Sequence, residues 1–263
     1  MRKDDMDEDL KENIDEEEML ELIEEERRKA WAKKEEAKEE KRPFPKWLIL
    51  LIAFSMFFSV MSAIPQTFSI PAIDFLITSA KLYTDEDVRE YKQSVVVVEA
   101  GDSKGTGFAY TPGGKILTNH HVIEGEPRIS VSFEEQGLYQ AEVVEEYEDI
   151  DLAVLEVEAE DLPHLSLAEE ADISETPPIT FIGNPLRFIR IANEGEVIGK
   201  RDLKDWSKKV MVLDAPIYRG NSGSPVINEE GEVIGVVFAT LRTDKEGKVG
   251  LAVPIDYFHE MNK

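Results

Sequence analysis

The sequence predicts an all-β domain of antiparallel sandwiches or barrels that follows a charged tail and one transmembrane helix. About a dozen short β-prone segments lie beyond residue 90, separated by Gly, Asn, Asp and Pro, which favour turns. We predict no helix of crossover length between them, so parallel α/β architectures are disfavoured. An uncharged apolar run at residues 47–64 has the length that spans a bilayer.

The charge distribution divides the chain into an acidic start, a short basic stretch and an acidic remainder. The 263 residues carry a formal net charge of −25. The net charge is −11 for residues 1–26, +5 for residues 27–46 and −19 for residues 47–263. Such an acidic chain should repel nucleic acid, so no nucleic-acid partner is expected. The chain has no cysteine, which excludes disulfides, thiolate catalysis and cysteine-ligated metal.

Residues 47–64 form the predicted membrane anchor. These 18 residues carry no charge, and the first charged residue beyond them is Asp74. A cleaved signal peptide is one alternative, but 46 residues rich in charge precede the run, and Met61 stands where a small residue would be wanted two before Ala63. A buried soluble helix is another, although such helices usually keep a polar face. The basic flank at residues 27–46 predicts a single-pass protein of a bacterial cell membrane, with its N-terminus in the cytoplasm.

Residues 1–46 are predicted to be a charged cytoplasmic tail. Their Glu, Lys and Ala content favours helix, but they have too few apolar side chains for a core. A solvated, partly helical tail is the simplest interpretation, and a regulatory or partner-binding role is the alternative. Residues 65–87 are predicted to be a stalk that ends in a short helix capped at Asp85. The folded domain is expected at residues 88–263, with its chemistry on the extracytoplasmic side.

The predicted strands share a short length and an apolar or alternating pattern. They lie at residues 94–98, 107–110, 115–118, 128–133, 141–145, 153–157, 179–182, 194–198, 210–213, 225–227, 233–239 and 250–253. Turn-forming residues separate them, most clearly at residues 111–114, 183–185 and 228–231. This pattern predicts antiparallel sheets that close into sandwiches or barrels.

Ser222 is the candidate nucleophile. It lies in the sequence GNSGSP, residues 220–225, directly before an apolar strand. The flanking glycines let the backbone turn sharply and bring its N–H groups close to a substrate carbonyl. A serine hydroxyl is a weak nucleophile unless a base takes its proton and donors stabilise the oxyanion. Taken alone, such a cluster is usually an ordinary turn, so its interpretation depends on its possible partners.

Two pairs of residues could supply the base and the carboxylate that orients it. His120 and His121 follow an apolar strand, and Asp149 and Asp151 precede another. Polar surface is the plain alternative for the histidines. Metal binding by both is disfavoured, because neighbours on an extended segment point to opposite faces. An Asp that begins so apolar a strand is either a cap or a partly buried acid with a fixed partner.

The domain resembles the protease domain of the HtrA/Deg-type enzymes, a branch of the trypsin-like serine proteases with the chymotrypsin fold. The resemblance covers roughly residues 90–257, and several motifs occur in the family's order, which is more specific than any one motif. The matching stretches are residues 105–108 (GTGF), 117–122 (LTNHHV), 151–155 (DLAVL), 182–185 (IGNP), 214–223 (DAPIYRGNSG) and 251–254 (LAVP).

The resemblance implies two packed six-stranded antiparallel β-barrels and a serine endopeptidase. By position in the motifs, His121 would be the base, Asp151 its orienter and Ser222 the nucleophile. The backbone N–H groups of Gly220 and Ser222 would form the oxyanion hole. No metal or other cofactor is required by this chemistry. The expected substrates are unfolded or damaged extracytoplasmic polypeptides, and a homo-oligomer, namely a trimer, is a further implication of the resemblance.

The sequence departs from the family pattern in two places and leaves specificity to a few residues. Ser224 stands where the family has a second Gly after the nucleophile, and residues 255–263 leave no room for the usual PDZ domain. Pro216 occupies the position where Arg- and Lys-selective relatives of trypsin have an Asp. Together with Phe238 and Ala239, which the resemblance places in the substrate pocket, it predicts cleavage after small or medium apolar residues. The alternative is that Pro216 only shapes its loop.

Two other functions are compatible with parts of the sequence. A pseudoprotease would bind peptides without cutting them, although such proteins usually have an incomplete triad. A membrane interaction protein would act through its charged tail, which would leave the complete triad unexplained. The endopeptidase is therefore the favoured hypothesis.

Overall fold

The structure is a computed structural model that describes residues 16–39, 45–67, 77–171, 173, 177–186, 188–204, 206–243 and 246–262. The chain divides into two compact units, Met1–Thr67 and Phe68–Lys263. Each unit is described by itself below.

In the N-terminal unit the structure describes two helices, α1 at Glu16–Glu39 and α2 at Lys46–Thr67. In α1, Lys29 pairs with Glu25 at 3.2 Å and with Glu26 at 3.3 Å, and all three side chains are exposed. Such exposed pairs on one helix face contribute only about 0.2–0.5 kcal/mol each. The expectation of helix within the charged tail is confirmed for the described residues.

Helix α2 contains the predicted anchor sequence. The apolar side chains in its first part are exposed, among them Leu50, Phe54 and Phe58. No helix within the described part of the chain combines the length and the apolar character needed to cross a membrane. The transmembrane role of residues 47–64 therefore stays a prediction.

Two helices lead into the β domain: α3, of which residues 77–82 are described, and α4 at Glu86–Ser94. The Asp85 side chain caps α4 by accepting hydrogen bonds from the backbone N–H groups of Asp87 and Val88, at 3.0 and 3.4 Å. The predicted N-cap is thus confirmed. Residues 68–76 of the predicted stalk lie outside the described residues.

The β domain consists of two closed antiparallel barrels of six strands each, as the resemblance implied. The first barrel contains β1 Val95–Ala100, β2 Ser103–Ala109, β3 Lys115–Thr118, β4 Ile129–Ser132, β5 Leu138–Tyr147 and β6 Leu152–Glu156. The second contains β7 Pro178–Gly183, β8 Ile191–Arg201, β9 Val210–Asp214, β10 Pro225–Ile227, β11 Val233–Thr243 and β12 Gly247–Pro254. Closure pairs every strand on both sides, so neither barrel leaves a free edge.

The largest hydrophobic cluster joins the two barrels. It combines Phe108 and Leu117 of the first barrel with Phe181 and Val236 of the second, all of them fully buried. A backbone hydrogen bond reinforces this junction, because the Thr106 N–H donates to the Ser222 carbonyl at 2.8 Å. The loop that carries Ser222 is therefore fixed to the opposite barrel.

Several strands run longer than predicted, and one helix is added at the end. β5, β8 and β11 have 10, 11 and 11 residues, and each contains a register shift. A β-bulge bends a strand and strengthens its twist, which lets one strand follow a barrel wall around a corner. The sequence pattern did not predict α6 at Ile255–Met261, whose Phe258 is buried against the rings of Tyr110 and Tyr147.

Candidate active site

His121 lies on the first turn after β3, in a short helix, α5, at His120–Ile123. These residues form a helical turn and not the extended segment that the sequence predicted. In this turn the two neighbouring imidazoles contact different carboxylates. His120 Nε2 lies 3.0 Å from Glu146 Oε2, whereas His121 Nδ1 lies 2.7 Å from Asp151 Oδ2. The structure therefore pairs His121, and not His120, with the predicted carboxylate.

Asp151 is held in an unusual backbone conformation that aims its carboxylate at His121. It ends the 3₁₀ turn Glu148–Ile150 with φ 52° and ψ 43°, the left-handed region that costs a non-glycine residue free energy. Its carbonyl accepts hydrogen bonds from the Asn119 side chain at 2.8 Å and from the His120 backbone N at 3.2 Å. These contacts hold the strained conformation in place.

Both carboxylate oxygens of Asp151 are used by one residue. Oδ1 accepts from the backbone N of His121 at 2.9 Å, and Oδ2 faces the ring nitrogen Nδ1. Because an ionised carboxylate only accepts, Nδ1 must carry the hydrogen, which leaves Nε2 free to accept a proton. The hydrogen bond to Asp151 raises the pKa of His121, and partial burial of the ring opposes this effect without reversing it. The arrangement thus stabilises the imidazolium that forms when His121 takes a proton.

Ser222 lies in the segment between β9 and β10, against the middle of β11. Its hydroxyl donates to the carbonyl of Phe238 at 3.3 Å. In the described part of the chain, no hydrogen bond joins the Ser222 hydroxyl to His121. The hydroxyl hydrogen of Ser222 is thus directed to the Phe238 carbonyl and not to the imidazole.

Two backbone N–H groups beside Ser222 are unoccupied donors. Gly220 has φ 99°, and its own carbonyl accepts from the Thr106 hydroxyl at 2.7 Å. The carbonyl of Arg219 accepts from the Leu186 backbone N at 2.8 Å, which fixes the peptide plane that contains the Gly220 N–H. Counting described residues only, the N–H groups of Gly220 and Ser222 have no acceptor. Paired, unoccupied donors of this kind can stabilise an oxyanion.

The loop that carries Ser222 also buries polar side chains without partners. Asn221 and Ser224 are fully buried, and neither the Asn221 amide nor the Ser224 hydroxyl has a hydrogen-bond partner among the described residues. A Cβ added at Gly183 would lie 2.1 Å from the Ser224 hydroxyl. The serine that replaces the family's second glycine is thus accommodated against a glycine of β7.

The surroundings of the three predicted pocket residues differ in what the structure shows of them. Phe238 lies directly at Ser222, since its carbonyl accepts from the Ser222 hydroxyl, and Ala239 follows it on β11. Pro216 instead lines a groove of about 850 Å³ whose walls include Glu196. Ser222 is not among the residues that line this groove.

Thr106 and Asn184 support the site, although no role was predicted for either residue. The Thr106 hydroxyl donates to Gly220 and accepts from the backbone N of Asn184 at 3.0 Å. The Asn184 side chain in turn donates to the carbonyl of Val96 at 2.9 Å. Both residues lie in the motifs that carry the resemblance, which is the signal that could have identified them. Among the described residues, no cluster of three His, Asp or Glu could hold a metal ion.

Comparison with known proteins identifies the same fold. Residues 105–236, half of the chain, match the family described as the trypsin-like peptidase domain. A solved chain of the protease Rv3671c in its inactive form has 26% sequence identity and a TM-score of 0.57, and the match covers 66% of this chain and 89% of that one. A second inactive form, from M. tuberculosis H37Rv, has 23% identity and a TM-score of 0.58 over 69% of this chain and 91% of that one.

Curated relatives point to the same branch. A probable periplasmic DegP-like serine endoprotease of Hahella chejuensis is 36% identical over 162 residues, which are 60% of this chain and 34% of the relative. The putative serine protease HhoB of Synechocystis is 34% identical over 157 residues, 57% of this chain and 37% of the relative. Protease Do-like 1 of the Arabidopsis thaliana chloroplast is 29% identical over 244 residues, 82% of this chain and 55% of the relative.

The matched region thus spans about a third to a half of the length of these curated relatives. The fold agrees with the family match over half the chain: the protein has two six-stranded barrels, and the candidate site lies on loops between their strands. The chain belongs to the family of trypsin-like peptidase domains, with serine endoproteases of the HtrA/DegP type among its relatives.

Proposed function

We propose that this protein is a serine endopeptidase in which Ser222, His121 and Asp151 act as the catalytic triad. The observation that carries the proposal is the 2.7 Å contact between His121 Nδ1 and Asp151 Oδ2, made by a carboxylate whose second oxygen fixes the backbone of the same histidine. This geometry leaves Nε2 as the proton acceptor. The unoccupied N–H groups of Gly220 and Ser222 supply the second requirement, an oxyanion hole.

The reaction follows from these groups. The Ser222 hydroxyl leaves the Phe238 carbonyl and gives its proton to His121 Nε2 as its oxygen attacks the scissile carbonyl. The tetrahedral oxyanion accepts hydrogen bonds from Gly220 and Ser222. His121 then donates the proton to the leaving amine as the C–N bond breaks, which leaves an acyl ester on Ser222. A water molecule, deprotonated by His121, hydrolyses that ester and restores the enzyme.

The proposed substrates are unfolded or damaged polypeptides outside the cytoplasm. The DegP-like relatives are probable periplasmic endoproteases, and extracytoplasmic action extends to this chain only as part of the proposal. Cleavage after small or medium apolar residues is proposed from the uncharged Phe238 and Ala239 beside Ser222. Pro216, which is also uncharged, lines a groove whose lining does not include Ser222, and its part in specificity stays a prediction.

We also propose that residues 47–64 anchor the protein in a membrane with residues 1–46 in the cytoplasm. The support is the uncharged run of 18 residues behind a basic flank of net charge +5. Protease added to intact cells should digest residues 85–263 and spare residues 1–45. Digestion of the N-terminal tail under these conditions would reverse the topology.

A peptide binder that does not cleave is the second candidate, and one observation favours it. The Ser222 hydroxyl bonds to Phe238 and, within the described residues, not to His121. In this alternative the domain would hold extended polypeptides in the cleft without acyl transfer. Covalent chemistry at Ser222 separates the two functions.

The test is to treat the full chain with a fluorophosphonate probe and, separately, with denatured casein. The proposal expects Ser222 to be labelled and casein to be cut, and expects both reactions to be abolished by Ser222→Ala and reduced at least 1,000-fold by His121→Ala. The matched control is His120→Ala, which removes the neighbouring imidazole that faces Glu146. Full activity in Ser222→Ala would reject the triad, and a folded protein that binds casein without labelling would establish the binder.

A further inference from the structure

A second cavity adjoins the His121–Asp151 side of the candidate site and has no part in the mechanism above. It measures about 410 Å³, which is room for one long side chain. It is lined by Glu148, Asp149, Asp151, Trp206, Ser207 and Phe238.

The floor of this cavity is aromatic. The rings of Trp206 and Phe238 lie 4.5 Å apart between centroids and are tilted by 35°. Phe238 is 9% exposed and Trp206 is half-buried, so the indole is the ring that an incoming group would meet. An indole face attracts a cation more strongly than any other aromatic side chain does.

The mouth of the cavity is negatively charged and has no cation of its own. Glu148 and Asp149 are exposed, and among the described residues neither forms an ion pair. The two lysines that follow Trp206 along the chain are turned to other groups. Lys208 pairs with Glu260 and lies over the Tyr257 ring, and Lys209 pairs with Asp202 at 3.6 Å.

Asp151, the third carboxylate of the wall, does not compete for a cation. Both of its oxygens accept hydrogen bonds from His121, and its side chain is only 17% exposed. The available negative charge therefore belongs to Glu148 and Asp149 at the rim. A long aliphatic side chain with a cationic end fits an aromatic floor below an acidic rim. Its stem would cover the aromatic rings while its charge stays beside the carboxylates.

The cavity is within reach of a bound polypeptide. The Phe238 ring forms part of its floor, and the Phe238 carbonyl accepts from the Ser222 hydroxyl at 3.3 Å. A substrate whose scissile carbonyl lies at Ser222 must therefore pass beside the cavity on the side of His121 and Asp151. We propose that this cavity is a specificity subsite that receives a lysine or arginine side chain of the substrate, at a position other than the residue directly before the cut.

This proposal rests on the proposed endopeptidase function and adds a second determinant to it. The side chain before the cut would be apolar, and a basic side chain nearby would be selected independently. An apolar side chain in the cavity is the competing occupant, since it would use the aromatic floor and leave the carboxylates in water.

The experiment compares paired peptides cut by the full chain. The cut site is first located with a library of peptides that have valine before the cleaved bond and one randomised position at a time. Each basic peptide is then compared with the otherwise identical peptide that carries glutamine or norleucine. We expect kcat/KM to be about tenfold higher for lysine or arginine at one position, a preference that falls with added salt.

Two variants assign that preference to the cavity. The double substitution Glu148→Gln with Asp149→Asn should reduce the preference to about twofold or less, and Trp206→Leu should reduce it independently of the rim charge. Both changed carboxylates are exposed, so the double variant is expected to fold, and its melting temperature checks this. The matched control is Glu146→Gln, which removes a carboxylate on β5 outside the cavity and should retain the preference.

The outcomes separate this proposal from the endopeptidase function. Labelling and cleavage with no basic preference at any position would overturn the subsite and leave the triad intact. A preference for norleucine that Trp206→Leu removes would assign the cavity to apolar side chains and would also overturn the proposal. Absence of fluorophosphonate labelling would instead reject the endopeptidase itself.

Discussion

Asp151→Asn is the substitution that tests the geometry of the site most directly. In the structure Asp151 offers two acceptors, one to the backbone N of His121 at 2.9 Å and one to Nδ1 at 2.7 Å. Asparagine keeps one acceptor. If its oxygen stays with the backbone N–H, its amide NH₂ faces Nδ1 and can only donate to it. The hydrogen of the imidazole then moves to Nε2, and His121 can no longer accept a proton from Ser222.

The expected loss of activity in Asp151→Asn is large because His121 takes the wrong tautomer, and not only because a negative charge is missing. A site with the same donor and acceptor arrangement loses about 10⁴-fold in kcat when its aspartate becomes asparagine. We expect a loss of about this size here, with KM changed by no more than a few-fold. The folded structure should tolerate the change, since the carbonyl of residue 151 still accepts from Asn119 and His120.

The pH profile gives an independent measurement of the same contact. The hydrogen bond to Asp151 raises the pKa of His121 above its ordinary value, and a base must be neutral to act. Activity should therefore fall as the pH drops through this raised pKa. In Asp151→Asn the acidic limb should move to lower pH while the plateau falls. The paired charge also contributes stability that is fully present below the unfolded pKa and is lost as pH rises through the folded pKa.

The assay is single-turnover acylation of the full chain by a chromogenic peptide ester, followed from pH 5 to pH 9. His121 is titrated in parallel by NMR. Glu146→Gln is the matched control, because it removes the carboxylate partner of His120 and should change the rate by about twofold at most. A loss of less than tenfold in Asp151→Asn, or an unchanged pKa of His121, would refute the assigned role of Asp151.

Two further predictions concern the loop that carries Ser222. Gly220→Ala should reduce acylation at least 100-fold and lower the free energy of unfolding by about 1–3 kcal/mol, because φ is 99° and the new Cβ would lie 2.3 Å from the Asn184 carbonyl oxygen. Gly113→Ala, with no atom within 4 Å of the new Cβ, is its control, and equal losses in both would contradict the argument. Ser224→Ala should raise the free energy of unfolding by about 1 kcal/mol in urea titrations, since it removes a buried hydroxyl that has no partner among the described residues. Thr118→Val, which removes a buried hydroxyl bonded at 2.7 Å, should lower it, and a comparable loss in Ser224→Ala would show that the serine has a partner.

The sequence located the strands well because their side chains carry the signal locally. Burial on one or both faces of a barrel wall selects apolar residues such as those of β3 and β6, and turn residues mark the ends. The bulges of β5, β8 and β11 escaped prediction, because they arise from barrel closure and not from the local sequence. Helix α6 was not predicted for a related reason: its Phe258 is buried by Tyr110 and Tyr147, which are distant in sequence.

The candidate triad was indicated by motif resemblance, but the choice between neighbours has a physical basis only in the tertiary structure. A helical turn at α5 and a left-handed residue at Asp151 bring His121 and Asp151 together and direct His120 to Glu146. Neither conformation is visible in residue type alone. The placement of Pro216 was also beyond the sequence, since its distance along the chain from Ser222 says nothing about which groove its side chain lines.

By itself the sequence determined the fold class, the family and the residue types available for chemistry, because those depend on patterns that are local in the chain. Only the tertiary structure decided which of these residues meet. Thr106 holds Gly220 from the other barrel, and Trp206 packs on Phe238 from a distant loop. Contacts of this kind depend on how two closed barrels pack, so the acidic cavity beside Asp151 could be recognised only once both barrels were in place.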